Sequence, residues 1–241
     1  MPGAFRIGTS GYRYDHWQPV FYPQALAKHR WFSHYASHFD TVEINNTFYR
    51  LPAAETFAKW RDASPPGFCF ALKFSRYGTH FRRLRQPASL IGTFLERACQ
   101  LGDRLGPILV QLPPGWNVNV RRLAEFLAAA PPRTRWAFEF RDPRWLCDDV
   151  YTVLRAHQAA LCIHDLIPEH PRVITASWTY WRFHGGAEHG GKYTADHLRA
   201  AAGVFLELLR RDIDAFVYFN NDVHGYAVQD AKELRGLIQG A

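Results

Sequence analysis

Several familiar sequence signals are missing from this 241-residue chain, and each absence narrows the class of protein. No run of about 18 apolar residues occurs, so the sequence predicts no membrane span. The amino-terminal residues MPGAFRIGTSG lack the charged and apolar regions of a signal peptide. The cysteines form no C-x-x-C pair and no metal-ligand spacing; they are Cys69, Cys99, Cys147 and Cys162. This pattern fits a reducing compartment, and we expect a cytoplasmic protein.

Two common catalytic motifs are also missing. GTSGY, after the first apolar run, is not the G-x-G-x-x-G turn of a dinucleotide-binding open sheet. The 12 histidines contain no H-x-H or H-E-x-x-H spacing, so no zinc site is indicated. A divalent metal held at separate strand ends stays open, with Glu139, Asp165, His184 and Asp222 as candidate ligands. The sequence identifies no cofactor.

The composition indicates a folded, basic protein. Hydrophobic residues make up 47% and charged residues 21% of the chain, which argues against disorder. The formal net charge of +7 favours anionic partners such as phosphates or nucleic acid, although a merely basic surface explains it equally well. Aromatic residues, at 15%, fill a bulky core or stack against sugars or bases.

Short apolar runs suited to buried strands alternate with segments of helical periodicity along the whole chain. The eight predicted strands are Phe5–Gly8, Thr41–Ile44, Phe68–Leu72, Pro107–Leu112, Trp136–Phe140, Ala160–Ile163, Tyr180–Phe183 and Ala215–Phe219. The predicted helices are Ala25–His38, Ala54–Ala63, Pro87–Arg104, Val120–Ala130, Asp148–His157, Thr194–Arg211 and Ala227–Ile238, with Thr194 or Asp196 as an N-cap.

This alternation predicts an α/β fold, a single (β/α)8 TIM-type barrel domain over residues 1–241. The stretch between Asp165 and Tyr180 is short and marked by prolines, so we expect a reduced or missing sixth helix. An open, doubly wound sheet is the main rival fold.

Polar residues at the ends of the predicted strands outline a candidate site. Strand side chains alternate between the barrel lumen and the surrounding helices, so polar residues two apart point to the same side. Three such pairs are Glu43 with Asn45, Glu139 with Arg141, and Arg182 with His184. Other polar strand ends are Ser10, Lys73, Gln111, His164, Asp165, Asn220, Asn221 and Asp222. Barrel enzymes place their chemistry at this carboxyl face, called the mouth below.

Nine stretches, in order along the chain, resemble the YecE-like family, also called domain of unknown function 72. They are GTSGYRYDHW (8–17), FYP (21–23), VEINNTFYRLP (42–52), FALK (70–73), THFRRL (79–84), GPILVQLPP (106–114), FEFRDPRW (138–145), YWRFHG (180–185) and YFNND (218–222). The resemblance covers nearly the whole chain and implies a (β/α)8 barrel. It implies no activity. In this family the sixth strand tends to end on an aspartate, so either His164 or Asp165 faces the mouth here.

The residue types at the mouth suit acid–base chemistry on an anion. We expect Glu43 and Glu139 to act as acid and base, although each glutamate could instead hold an arginine. Lys73 could form a Schiff base if it is desolvated, but such a lysine more often binds an anion or pairs with a carboxylate. The remaining expected roles are Asp222 as an assisting group, His184 as a proton shuttle, Arg141, Arg182 and Lys192 as anion ligands, and Asn45, Gln111 and Asn221 as orienting groups.

Two loops carry further signals. Residues 184–193 read HGGAEHGGKY, and their glycines and lysine suit an anion, while a flexible lid is an equal alternative. Residues 73–85 read KFSRYGTHFRRLR and mix arginines with aromatic side chains, which suits nucleic acid or simply steers a small anion.

The first hypothesis is a hydrolase-like enzyme acting on a small anionic, phosphorylated or sugar-like substrate. The alternatives are a nucleic-acid-binding or processing protein, and a non-catalytic barrel that binds a ligand or a protein. We expect no membrane partner and a monomer.

Overall fold

The computed structural model describes residues 3–185 and 191–241. Within these residues, eight parallel strands form one sheet in the order β1-β8-β7-β6-β5-β4-β3-β2. The strands are β1 (Phe5–Thr9), β2 (Thr41–Ile44), β3 (Cys69–Lys73), β4 (Leu105–Gln111), β5 (Trp136–Glu139), β6 (Ala160–His164), β7 (Trp178–Phe183) and β8 (Asp214–Phe219). Every strand end lies within two residues of its predicted position. The predicted (β/α)8 barrel is confirmed.

Helices connect most of the strands. They are α1 (Trp31–Ala36), α2 (Asn46–Tyr49), α3 (Ala54–Ala63), α4 (Pro87–Ala98), α5 (Val120–Ala129), α6 (Asp148–Ala156), α7 (Ala195–Arg210) and α8 (Tyr226–Gln239). The connection from β6 to β7, described throughout, contains no helix, which confirms the predicted gap. Thr194 is the N-cap of α7, and its side chain accepts a hydrogen bond from the His197 N–H. The short helix α2 was not predicted, and α1 is shorter than expected.

The seam between β1 and β2 closes the barrel, although only one bridge, Ser10 to Glu43, pairs the two strands. The hydroxyl of Tyr35 links the two strands where backbone hydrogen bonds between them are absent. It accepts from the Thr9 N–H at 2.9 Å and donates to the Thr41 carbonyl at 3.0 Å. Gly8 is required beside it, because a Cβ there would lie 2.2 Å from the Thr41 oxygen. The open-sheet alternative is therefore wrong.

Side chains in the lumen fill the lower part of the barrel, so the structure has a packed core and no pore. Trp178, Tyr180, Phe216 and Tyr218 are the largest members, and small residues such as Ala137 make room for them. Residues of the opposite phase pack between the sheet and the helices. The filled lumen therefore separates the carboxyl end of the barrel, where the polar strand ends lie, from its amino end.

In the described part of the chain, no helix combines the length and the apolar character needed to cross a membrane.

Replacing Tyr35 by Phe should lower the free energy of unfolding by about 1–3 kcal/mol, because the Thr9 N–H and the Thr41 carbonyl would lose their buried partner. Urea unfolding measures the change. Tyr49→Phe is the matched control, since Tyr49 is 75% exposed. Equal stability of the Tyr35→Phe and Tyr49→Phe proteins would show that the hydroxyl does not support the seam.

Candidate active site at the barrel mouth

Arg182 joins two buried carboxylates at the top of the filled lumen. Its Nη2 donates to Glu43 Oε1 at 2.8 Å, and its Nη1 donates to Glu139 Oε2 at 2.6 Å. All three side chains are almost completely buried. Together with Lys73 and Arg141 they form what we call the mouth cluster.

The alternation of strand side chains places these groups side by side. Lys73 follows Cys69 and Ala71 on the lumen side of β3, and Arg182 follows Trp178 and Tyr180 on that of β7. Glu139 ends β5, and Arg141, two residues later, donates its Nε–H to Glu139 Oε1. The three predicted polar pairs were expected to point toward the lumen. Glu43, Glu139 and Arg182, the first residue of each pair, do so, and Arg141 joins them.

Two further donors bind the carboxylate of Glu43. The Tyr180 hydroxyl donates to Oε2 at 2.6 Å, and the Ser10 hydroxyl donates to Oε1 at 2.7 Å. Tyr180 was missed as a site residue, although it precedes Arg182 by two positions and so shares its lumen phase.

Both carboxylates are ionised at neutral pH. Burial by itself raises the pKa of Glu43 and Glu139, but the Arg182 guanidinium outweighs it, helped by Tyr180 and Ser10 at Glu43 and by Arg141 at Glu139. The pKa of Glu43 is lower than that of an ordinary glutamate, and the pKa of Glu139 is well below it.

Lys73 differs from the other members of the cluster. It is 9% exposed, and its Nζ lies 4.5 Å from the ring centroid of Phe48 on α2. Among the described residues, no carboxylate oxygen lies within 4.0 Å of this ammonium. Burial and the positive charge of Arg182 lower the pKa of Lys73 to about 8, against the opposing effect of the two glutamates.

His184 and Asp165 form a pair beside the cluster. The Asp165 carboxylate accepts from the His184 backbone N–H at 3.0 Å, and its Oδ1 lies 3.3 Å from His184 Nδ1. The other ring nitrogen, Nε2, lies 3.2 Å from Arg182 Nη1. Burial raises the pKa of Asp165, but hydrogen bonds from His184 and Tyr193 prevail and lower it to about 2. Asp165 therefore orients the imidazole as an ionised carboxylate.

His164 is the last residue of β6 and lies on the lumen phase, whereas Asp165 reaches the mouth from the following turn. Burial lowers the pKa of His164 to about 4, so the ring is neutral. His164 Nδ1 accepts from the Leu166 N–H, which leaves Nε2 to donate to the Phe140 carbonyl at 2.9 Å. Both residues therefore lie at the mouth, His164 at the end of β6 and Asp165 in the following turn, where it binds His184.

Other predicted residues divide between the mouth and more distant positions. Gln111 pairs in register with Glu139 at the end of β4. Asn45 follows β2, and its buried Oδ1 has no hydrogen-bond donor among the residues that the structure describes. Asn221 instead donates to the Gly191 carbonyl and to Asp230 Oδ2, both at 2.7 Å. Its amide therefore holds the start of α7 against α8.

Lys192 and Asp222 lie outside the mouth cluster. The Lys192 ammonium is 5.9 Å from the ring centroid of Tyr226 on α8. Asp222 Oδ2 lies 3.6 Å from His16 Nε2, on the side where the loop after β1 meets the loop after β8. Half of the predicted glycine-rich anion loop, residues 186–190, lies outside the described residues.

The structure also brings His80 to the cluster, a residue that the sequence placed only in a basic loop. Its ring stands edge-on to Phe48 at 5.2 Å. Burial and the nearby charges of Arg76, Lys73 and Arg141 lower the pKa of His80. No periodic pattern indicated this position, because His80 belongs to one turn of π-helix, Tyr77–Phe81.

No group of three histidine, cysteine, aspartate or glutamate side chains is placed to hold a metal ion within residues 3–185 and 191–241. The four candidate ligands have protein partners instead: Glu139 binds arginines, Asp165 binds His184, and Asp222 contacts His16.

A closed parallel barrel whose carboxyl face carries a buried ionic cluster defines the general class of (β/α)8 barrel proteins. A family model described as "Protein of unknown function DUF72" matches residues 6–241, and the chain belongs to this family. The family resemblance noted in the sequence is thereby confirmed.

Relatives and solved structures agree with this assignment. The chain is 34% identical to the UPF0759 protein YecE of Escherichia coli over 112 residues, which are 46% of this chain and 41% of that protein. It is 26% identical to the UPF0759 protein YunF of Bacillus subtilis, covering 96% and 94% of the two chains. A DUF72 family protein of Thermotoga maritima superposes with a TM-score of 0.87 at 25% identity, covering 98% and 99%. One from Enterococcus faecalis gives 0.82 at 20% identity, covering 98% and 95%, and shows the fold alone.

Replacing Arg182 by Met should cost about 3–5 kcal/mol of stability, because two buried carboxylates lose their shared counter-ion. Combining Arg182→Met with Glu43→Gln and Glu139→Gln should recover much of this loss, since the charges are then removed together. Chemical denaturation measures both proteins.

The control is Arg199→Met, which breaks an exposed ion pair with Asp196 and should change stability by at most about 1 kcal/mol. A triple variant no more stable than Arg182→Met alone would contradict the assignment of Arg182 as counter-ion to both glutamates.

Proposed function

We propose that the protein is an enzyme that binds a small anionic substrate, phosphorylated or sugar-like, at the barrel mouth and performs acid–base chemistry there. The observation that carries the proposal is the charge of the mouth cluster. Three cationic side chains stand against two carboxylates, and protein donors already bind both carboxylates. The cluster therefore carries one excess positive charge. Lys73 pairs with no carboxylate of the described residues, and Arg141, although its Nε–H is bonded to Glu139, is partly exposed, so both can attract an anion from solvent.

The two glutamates have a supporting role in this proposal, which revises the acid and base roles suggested by the sequence. A general acid must hold its proton at the working pH, and a lowered pKa works against that. Glu43 and Glu139 instead fix the orientation of Arg182. Proton transfer then falls to His184, oriented by Asp165, and to Lys73, whose pKa of about 8 is close to neutrality.

The space for a substrate lies beside the connection from β6 to β7, which contains no helix. A cavity of about 420 Å³ opens there, lined on one side by Ile163, Trp181 and Phe183, which face the helix layer, and on the other by His164, Asp165 and Arg182 at the strand ends. A volume of this order suits a small molecule. The cavity combines an aromatic wall with cationic and histidine side chains, which is consistent with a sugar-like or phosphorylated ligand.

Inorganic phosphate at neutral pH should raise the melting temperature of the wild-type protein. A ligand at about 100 times its dissociation constant adds about 2.7 kcal/mol, which corresponds to several degrees for a chain of this length. Arg141→Gln should reduce the shift strongly, because Arg141 is a partly exposed guanidinium of the cluster. Differential scanning fluorimetry provides the measurement.

Arg155→Gln is the matched control, since Arg155 is an exposed arginine in the last turn of α6. If the Arg141→Gln and Arg155→Gln proteins shift as much as wild type does, phosphate binds elsewhere and the proposed site is wrong. Binding without any turnover across a panel of phosphorylated and sugar substrates would favour the non-catalytic barrel.

A specific observation also favours the nucleic-acid alternative. Tyr77 and Phe81 are 58% and 70% exposed on the loop after β3, and arginines lie against both rings. The Arg76 guanidinium is 5.6 Å from the Phe81 centroid, and that of Arg82 is 6.0 Å from the Tyr77 centroid. Exposed aromatic faces next to cations are what single-stranded nucleic acid stacks upon.

On this alternative, a fluorescent single-stranded oligonucleotide should bind at low salt and lose affinity steeply as the ionic strength rises. Phe81→Ala should weaken binding by about 1–3 kcal/mol, the usual contribution of one stacked base. Fluorescence anisotropy measures both effects, with Arg155→Gln as the control. Failure to bind at low salt would exclude the alternative.

A further inference from the structure

The side chain of Lys73 lies under an apolar cover, the Phe48 ring, which the binding of an anion does not by itself require. Its ammonium lies over the Phe48 ring instead of against a carboxylate, and the nearest part of the chain holds that ring firmly in place. The Thr47 hydroxyl donates to the Lys73 carbonyl at 2.7 Å and lies 3.1 Å from the Ile44 carbonyl, which fastens α2 to the ends of β2 and β3. The apolar cover over the amine is thus a built feature.

The charged groups around Lys73 come from several elements. Arg182 on β7 and Arg141 after β5 lower the pKa of the amine, and Glu43 on β2 and Glu139 on β5 raise it. The glutamates are held by Arg182, Tyr180, Ser10 and Arg141, so they are not free to close on the ammonium. With burial added, the pKa of Lys73 falls to about 8. A desolvated lysine beside another cation is the setting in which an amine becomes nucleophilic at neutral pH.

We propose that Lys73 is a catalytic residue that forms an imine with the carbonyl carbon of a small anionic aldehyde or keto acid. The inference rests on the proposed function, because the partly exposed Arg141 supplies the positive charge that receives the anionic group of the same substrate. The substrate's reactive group is then a carbonyl, and the desolvated Lys73 amine forms a covalent bond to its carbon.

The step is balanced without any oxidant or reductant. The lone pair of the neutral Lys73 Nζ attacks the carbonyl carbon, and the carbonyl π electrons move to the oxygen, which takes a proton. The nitrogen of the resulting carbinolamine loses a proton, the hydroxyl leaves as water with a second proton, and the C=N bond forms. One water is released for each imine.

His80 is placed to assist these proton movements. Its ring packs edge-on against the same Phe48 ring, with 5.2 Å between centroids, and burial together with the charges of Arg76 and Lys73 lowers its pKa, which favours the neutral imidazole. A neutral imidazole can take the proton from the attacking nitrogen and return it to the departing hydroxyl. Glu43 and Glu139 then lie beside the protonated imine and balance its positive charge.

Glyoxylate, a small anionic aldehyde, tests the inference when sodium cyanoborohydride is present to reduce any imine to a stable amine. Peptide mapping by mass spectrometry then measures the rate of carboxymethyl adduct formation at each lysine. At pH 7 we expect Lys73 to be labelled about tenfold faster than Lys28, because its larger neutral fraction outweighs its lower intrinsic nucleophilicity.

Two lysines in the same sample serve as internal controls. Lys28 is exposed, and Lys232 lies over the Phe21 ring at 4.7 Å but outside the mouth. Sulfate should slow the labelling of Lys73 and leave Lys28 and Lys232 unaffected, and Arg141→Gln should slow it as well. Glycolaldehyde, a neutral aldehyde, should show a smaller preference for Lys73 that sulfate does not reduce, because it meets the same neutral amine without the attraction of Arg141 for an anion. A Lys73→Arg protein, which keeps the positive charge, should still give a melting-temperature shift with sulfate.

Labelling of Lys73 no faster than that of Lys28 and Lys232 overturns the imine. If Lys73 is not labelled faster but sulfate still raises the melting temperature of the Lys73→Arg protein, the proposed anion site at Arg141 stands and the imine is wrong. If sulfate has no effect on either measurement, the anion site itself is wrong. Fast labelling of Lys73 that sulfate does not slow supports the nucleophilic amine and overturns the anionic substrate.

Discussion

The bridge from Arg182 to Glu43 and Glu139 is the interaction on which the mouth of this barrel depends. Burying either carboxylate alone would be very costly, and only a shared, fully buried guanidinium makes the pair tolerable. The bridge connects β2, β5 and β7, so it ties together distant parts of the sheet above the packed lumen. With both glutamates engaged, the remaining cations determine how the mouth interacts with ligands.

The two irregular features of the barrel shape its two sides. At the seam between β1 and β2, the Tyr35 hydroxyl replaces backbone pairing, and this allows Ser10 to approach and bind Glu43. Between β6 and β7 no helix covers the sheet in the described chain, and the uncovered space becomes the cavity beside Arg182. One irregularity therefore supports the ionic bridge, and the other leaves a cavity beside β6 and β7.

Membership of the DUF72 family and the barrel fold agree with each other, but neither specifies a reaction. The proposed function follows from the site itself, in which the Lys73 amine pairs with no carboxylate that the structure describes and lies near two guanidinium groups. The exposed aromatic and arginine surface after β3 is a separate feature, held on a loop in which Arg83 and Leu84 adopt left-handed backbone conformations.

The sequence by itself determined the eight strands, the missing sixth helix and the lumen phase of Glu43, Glu139 and Arg182. These features follow from local periodicity, because a strand's alternation fixes which side chains share a side. Only the tertiary structure decided what those side chains do. Arg182 takes both glutamates and Lys73 keeps its amine apart from them, while Asn221 and Lys192 point to α8. Pairing between residues more than a hundred positions apart depends on three-dimensional distances and on relative burial, and no local pattern encodes either.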